Sequence, residues 1–152
     1  NFQLAEQKRG WKIVPAATLE CGSWREQGHP FYPYDVRYSK KLVLTEAKSV
    51  LVRLGEWRGT VASVHVNGVK IGIIGWQPFE LDVSDAMRKG ENRIDVVVTG
   101  SLKNLLGPHH NVSRRGVVTP WSFKYAPEEQ PRGRDYDLLD YGLLEDFEIA
   151  VE

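Results

Sequence analysis

An antiparallel all-β sandwich is the fold class this sequence predicts, and three observations predict it. Short segments alternate apolar and polar residues with the two-residue period of a strand. Turns rich in Gly and Asn separate them, and almost nothing repeats with the 3.6-residue period of a helix.

Taken in chain order, "VRYSKKLVL" places Val36, Tyr38, Leu42 and Leu44 on one parity and Arg37, Ser39 and Lys41 on the other, the pattern of a half-buried strand. "SVLVRL" adds Val50, Val52 and Leu54 in the same manner. "VASVHVNGVKIGII" carries the clearest signal. Asn67-Gly68 forms a two-residue turn, since both central residues must take positive φ and these two tolerate it best. The resulting hairpin puts Val64, Val66, Val69 and Ile71 on one face and His65 and Lys70 on the other. "PFELDV" aligns Phe79, Leu81 and Val83, "SDAMRKG" suits one short helical turn ending at Gly90, and "NRIDVVV" aligns Ile94, Val96 and Val98. "SLKNLLG" reads as a further helical turn, with Leu102, Leu105 and Leu106 expected to pin it to the core. A strand around Trp121 to Tyr125 interrupts an otherwise irregular stretch over 107–137, and the last strand falls at Phe147 to Val151. Irregular segments of that length are uncommon in a compact domain unless they serve a purpose.

The 152 residues fit one domain, large enough to bury a core without disulfide staples. Twenty basic residues balance twenty acidic ones, so the chain lacks the field that would draw it to nucleic acid or to an anionic membrane. A neutral partner is expected. Cys21 stands alone, which excludes an internal disulfide and any multi-cysteine zinc site. The start "NFQLAEQKRG" has neither an initiator Met nor a signal peptide's apolar stretch, and the end "YGLLEDFEIAVE" reads as a strand without a polar tail. The chain is therefore expected to be part of something longer.

Four features have the composition of a binding surface: the ring-rich run "GSWREQGHPFYPY", Trp57 with Trp76, "GPHHN", and Trp121 near Tyr125. A sugar ring offers C–H bonds that pack on an aromatic face, and its hydroxyls need amide, carboxylate, guanidinium or imidazole partners. Trp57 and Trp76 flank the hairpin and are assigned to packing. Trp24, Tyr32, Tyr34 and Trp121 are expected to supply stacking faces, with Arg25, His29, His109, His110 and Asn111 as hydrogen-bonding partners. The bland alternative, that these rings only anchor their loops, stands beside this. His109 and His110 are neighbours, and in an extended segment they point to opposite sides, so one metal cannot easily take both. Ser113 and Ser122 lie near the histidines, but no G-x-S-x-G elbow presents a nucleophile, and no catalytic or metal residue is assigned.

"VHVNGVKIG" followed by "PFELDVSDAMRKGENRIDVVV" resembles the sugar-binding, jelly-roll domain of family 2 glycoside hydrolases and related galactose-binding-like folds. The resemblance runs from about Trp11 to Val98, and "WREQGHPFY" with "VRYSKKLVL" is similar to the entry segment of such domains in large multidomain glycosidases, rhamnosidase-like ones included. These are fold-making residues. Asn67-Gly68 makes the turn, Gly72 lets a neighbouring backbone approach, Phe79 fills the sandwich, and Asp82 or Ser84 caps the short turn. The resemblance implies a non-catalytic accessory domain over residues 1–152, in a secreted or periplasmic carbohydrate-degrading enzyme whose catalytic carboxylates lie outside this chain. Its partners would be carbohydrate, the catalytic domain of the same parent chain, or both. No cofactor is expected. Such folds often carry a structural calcium, although no Asp-rich loop here demands one. A purely architectural brace that binds no glycan is the first alternative, and a small independent hydrolase the second.

Overall fold

The computed structural model describes residues 2–15, 17–46, 49–110, 117–124 and 132–151. Its strands are antiparallel and its helices are single turns, so the all-β expectation holds. The chain divides into two compact units, the first made of Asn1–Pro33 and Ser101–Tyr141, the second of Tyr34–Gly100 and Gly142–Glu152.

The second unit holds most of the strands. β1 (Phe2–Glu6) and β2 (Trp11–Pro15) belong to the first unit; in the second, β3 (Asp35–Leu44), β9 (Gly90–Thr99), β6 (Val61–Val66) and β7 (Val69–Ile74) lie side by side in that order. A three-stranded sheet orders β11 (Glu148–Val151), β4 (Val50–Arg53) and β8 (Glu80–Asp82), and β5 (Trp57–Arg58) pairs with β10 (Gly142–Leu143). Alternation does what it predicts: Val50, Val52, Ala62, Val64, Val66, Ile94, Val96 and Val98 are all buried. Val96 is central, opposite Tyr38 on one side and Val64 on the other.

The Asn-Gly turn forms as expected, with Asn67 at φ 51 and Gly68 at φ 87. Its neighbour explains why Asn, rather than Asp or Gly, suits the position. Asn67 donates through Nδ2 to Asn92 Oδ1 at 3.0 Å, and its own Oδ1 accepts the Arg93 N–H at 3.0 Å. Fully buried Asn92 in turn accepts from Arg88 N–H and donates to the Arg88 and Gly90 carbonyls. Two turns that are distant in sequence are thus tied by one amide pair, whose polar atoms are satisfied inside the fold.

Two details of the hairpin and its neighbour depart from the expectation, and Asp82 supports the short turn as expected. A register shift between Val64 and His65 leaves Ile71 outside the pairing, and Val69 is exposed instead of joining the inner face. At Gly72 the close neighbour is the Leu81 side chain, 2.8 Å from where a Cβ would stand, and not a backbone. Asp82 supports the turn Ser84–Ala86 by accepting the Ser84 N–H at 2.9 Å and its hydroxyl at 2.5 Å, bonds that lower the carboxyl's pKa.

The β9 residue Asp95 is buried, beneath Arg37, Ser39 and Arg93. Burial pushes its carboxyl up, and the hydrogen bonds from Ser39 and Arg93 with the charges of Arg93 and Arg37 outweigh that, so it stays below the usual carboxylate range.

The first unit is built differently. β1 (Phe2–Glu6) and β2 (Trp11–Pro15) make a hairpin that the sequence reading did not anticipate, closed by Gly10 at φ 72 and a Gln7 N–H to Gly10 carbonyl bond of 3.1 Å. Among the described residues, the rest is irregular chain with a helical turn, α1 (Lys103–Leu106), and 3-10 turns at Pro120–Phe123 and Gly133–Asp135. Trp121 therefore sits on a 3-10 turn and not on the strand expected there. Pro120 supplies the fixed φ of a helical start, and the Thr119 N–H donates to Ser122 Oγ at 3.2 Å.

Candidate functional site

The ring-rich run packs against its own unit. Trp24 donates its backbone N–H to the Tyr141 carbonyl at 2.9 Å and accepts that of His29 at 2.8 Å, while Ser23 Oγ donates to Asp140 at 2.7 Å. These bonds turn the indole inward, where it meets Tyr32 edge-on at 5.9 Å and Tyr141 at 6.2 Å. A second group joins Trp11, Phe31, His109 and Tyr136, with His109 stacked on Tyr136 at 5.3 Å and 7°.

The expected stacking faces are accordingly corrected in part. Trp24 is 1% exposed, so its face is spent on Tyr32 and Tyr141 and is not offered to a ligand. Tyr32 is half-buried beside it, and so is His29, whose ring lies 6.2 Å from Tyr32. Tyr34 and Trp121 are open, at 67% and 68% exposure, and Lys124 Nζ lies 4.9 Å from the Trp121 ring. Arg25 is half-buried and reaches the Leu138 and Arg134 carbonyls at a long 3.5 Å. His110 is half-buried. Asn111, Ser113, Arg114, Arg115 and Tyr125 lie outside the described residues. Trp57 packs edge-on against Phe79 as assigned, but Trp76 is exposed.

The helical turn α1 also inverts its expectation. Leu102, Leu105 and Leu106 are exposed, and the turn is held instead by polar residues. Buried Asn104 exchanges two bonds with Leu139, donating to its carbonyl at 2.7 Å and accepting its N–H at 2.8 Å. Lys103 pairs with fully buried Asp137 at 3.0 Å and donates to the Asp137 carbonyl; the side-chain contact is an ion pair without hydrogen-bond alignment. Asp137 donates its N–H to the His109 carbonyl at 2.8 Å, which sets "GPHH" in place. Residues 34 positions apart carried no signal for this pairing.

Two histidines of this unit resist protonation. Burial lowers the His29 pKa from 6.5, and at His109 burial acts first, with the Lys103 ammonium and His110 in the same direction and Asp137 opposing. His29 Nε2 and His109 Nδ1 are both buried without a hydrogen-bond partner among the described residues. The unfolded chain takes up protons on these rings near pH 6.5 while the folded chain refuses them. Their contribution is therefore whole above that pH and is lost as pH falls below it. The melting temperature is expected to fall by a few degrees between about pH 7.5 and about pH 5.5. Scanning calorimetry of the chain and of His109→Gln, which should flatten the slope, checks this.

Among the described residues, open clefts indent the first unit. One, of about 590 Å³, lies between the β1–β2 hairpin and the turn Glu20–Gly28, with Trp11 and several polar side chains on its walls. A smaller one of about 350 Å³ is lined by Glu6, Gln7, Lys8, Arg132 and Arg134. Among the described residues no group of three or more His, Cys, Asp or Glu side chains is placed to hold a metal ion.

No family model matches the chain. It is 29% identical over 163 residues to a candidate beta-glucuronidase of Formosa agariphila, an alignment covering 96% of this chain and 14% of the relative. Its fold matches a rhamnosidase of Novosphingobium sp. PP1Y with a TM-score of 0.59 at 23% identity, over 97% of this chain and 14% of that one. The chain resembles the sugar-binding-type domain of family 2 glycoside hydrolases. A beta-glucuronidase of Bifidobacterium dentium shares the fold at a TM-score of 0.52 and 20% identity, over 97% of this chain and 28% of that one. The chain thus spans about one seventh of the curated relative's length.

Proposed function

We propose that this chain is a non-catalytic accessory domain of a large glycoside hydrolase, and that it works by docking on the parent enzyme's catalytic module. The observation that carries the reading is where the apolar surface lies. Among the described residues, seven of the fourteen exposed large apolar side chains fall within Leu102–Phe123: Leu102, Leu105, Leu106, Val117, Val118, Trp121 and Phe123, between 37% and 68% exposed. Of the four rings expected to stack on sugar, Trp24 and Tyr32 are packed on one another, while Tyr34 and Trp121 are open.

Isolated exposed leucines need no explanation, but a concentration of this kind with a Trp and a Phe is the composition of an interface core. Leu105 and Leu106 are put outward because Lys103 and Asn104 take the inward positions of the same turn. The occupant is the parent's own barrel, a reading supported by the small share of the relative that this chain covers. A periplasmic or extracellular setting belongs to the same proposal.

Expressing the parent enzyme with Leu106→Asp and Trp121→Asp tests it. Both positions are exposed in the isolated chain, so its own melting should move little. The parent should lose stability, with its melting lowered by several degrees, as a charge is forced into a contact. An unaffected parent would remove the docking role.

A further inference from the structure

We propose that Asn67 is a site of spontaneous covalent modification, in which its side-chain amide is exchanged for an acid through a cyclic imide, and that buried Asn92 sets the rate. This goes beyond the docking reading and does not depend on it. Asn67-Gly68 is the single Asn-Gly pair in the sequence, and it forms the tip of the β6–β7 hairpin. Both residues are exposed and both have positive φ, 51 and 87. A Cβ placed on Gly68 would meet nothing within 4 Å, so that side of the turn stands open to water. Asn92 and Asn104, by contrast, are buried, and each precedes a residue with a long side chain, Arg93 and Leu105.

The reaction needs only groups that are already joined, and water. The Gly68 backbone nitrogen attacks Asn67 Cγ, an intramolecular step favoured by proximity. The N–Cγ bond forms, the Cγ–Nδ2 bond breaks, and Nδ2 leaves as ammonia with the proton that the Gly68 nitrogen gives up. Water then opens the imide. Addition at Cγ gives aspartate, and addition at the main-chain carbonyl of Asn67 gives isoaspartate, whose backbone runs through the side-chain carbon. Glycine suits the attacking position because it has no Cβ to crowd the ring as it closes.

The fold restrains the amide that must react. Asn67 Nδ2 donates to Asn92 Oδ1 at 3.0 Å, and Asn67 Oδ1 accepts the Arg93 N–H at 3.0 Å. Closing the imide expels Nδ2 and turns Cγ toward Gly68, so both bonds have to be given up first. Asn92 is itself fixed by Arg88 and Gly90, which ties the hairpin tip to the start of β9. The product cannot restore that tie. A carboxylate at position 67 has no donor for Asn92 Oδ1, and isoaspartate lengthens a turn whose register sets Val66 opposite Val69.

Incubating the 152-residue chain beside its tryptic peptide Gly59–Lys70 in mildly alkaline buffer, with mass spectrometry and chromatographic separation of the products, tests the proposal. The peptide lacks Asn92 and Arg93 and so reports the unrestrained rate. Aspartate and isoaspartate are expected at position 67 in both samples, about tenfold or more slowly in the folded chain, and Asn92→Ala should move the chain's rate toward the peptide's. Asn67→Asp copies one product and reads the tie without touching the buried residue; its melting temperature should fall by a few degrees. A folded chain without product after many half-lives of the peptide, a folded chain that converts as fast as the peptide, or an Asn67→Asp chain that melts as the unsubstituted one does would each overturn the assignment.

Discussion

Replacing Lys103 with Met is expected to destabilise the chain by about 3–5 kcal/mol, because it leaves the Asp137 carboxylate buried without its ammonium. Asp137 has no exposed side-chain surface and Lys103 is only 10% exposed, so water cannot take the lysine's place cheaply. The substitution also removes the donor to the Asp137 carbonyl and loosens the strand of chain that carries His109. Urea denaturation of K103M, D137N and the double variant measures it. The double variant should be less destabilised than K103M, since it no longer buries a charge. A loss in K103M within about 0.5 kcal/mol, the range of ordinary surface changes, would show that the pair is open to solvent.

Trp24→Ala is the second large effect, expected to cost about 3–5 kcal/mol as an enclosed indole is deleted from between Tyr32 and Tyr141. Trp121→Ala is its control. That indole is exposed, and its loss should stay within about 0.5 kcal/mol. Denaturation curves of the two variants separate a ring that fills the fold from a ring that faces outward. Equal, small losses would return Trp24 to the surface role its loop composition suggests.

Those two tryptophans show what composition can and cannot convey. Both occur outside the strands with a Gly or Pro within two residues, and nothing local distinguishes them. Only the partner residues Tyr32 and Tyr141, the latter more than a hundred positions on, decide that one is enclosed. The second unit was legible because a strand's period-two pattern states its inner face directly. Val50, Val52, Val64, Ile94, Val96 and Val98 are buried as that pattern requires, and Asn67-Gly68 makes the turn its φ preferences dictate.

Where the period fails, the sequence does not state which face is inward. In α1 the leucines were placed inward because apolar side chains usually are, yet the inward positions go to Lys103 and Asn104, whose partners Asp137 and Leu139 come from a segment without periodicity. The β1–β2 hairpin went unread because its turn, closed at Gly10, is not one of the two-residue signals, and its strand "WKIVP" ends in Pro. The larger cleft depends on that hairpin for one wall, so its lining residues, Arg25 apart, could not have been assembled from sequence.

The proposed docking role is tested most directly by hydrogen–deuterium exchange, comparing this chain alone with the same residues inside the proposed parent enzyme. The account predicts that the amides of 102–106 and 117–124 exchange more slowly within the parent, while those of Trp24, Gln27, Gly28, His29 and Tyr32, already hydrogen-bonded in the isolated chain, are unchanged. Equal exchange at 102–106 and 117–124 in both samples would contradict it.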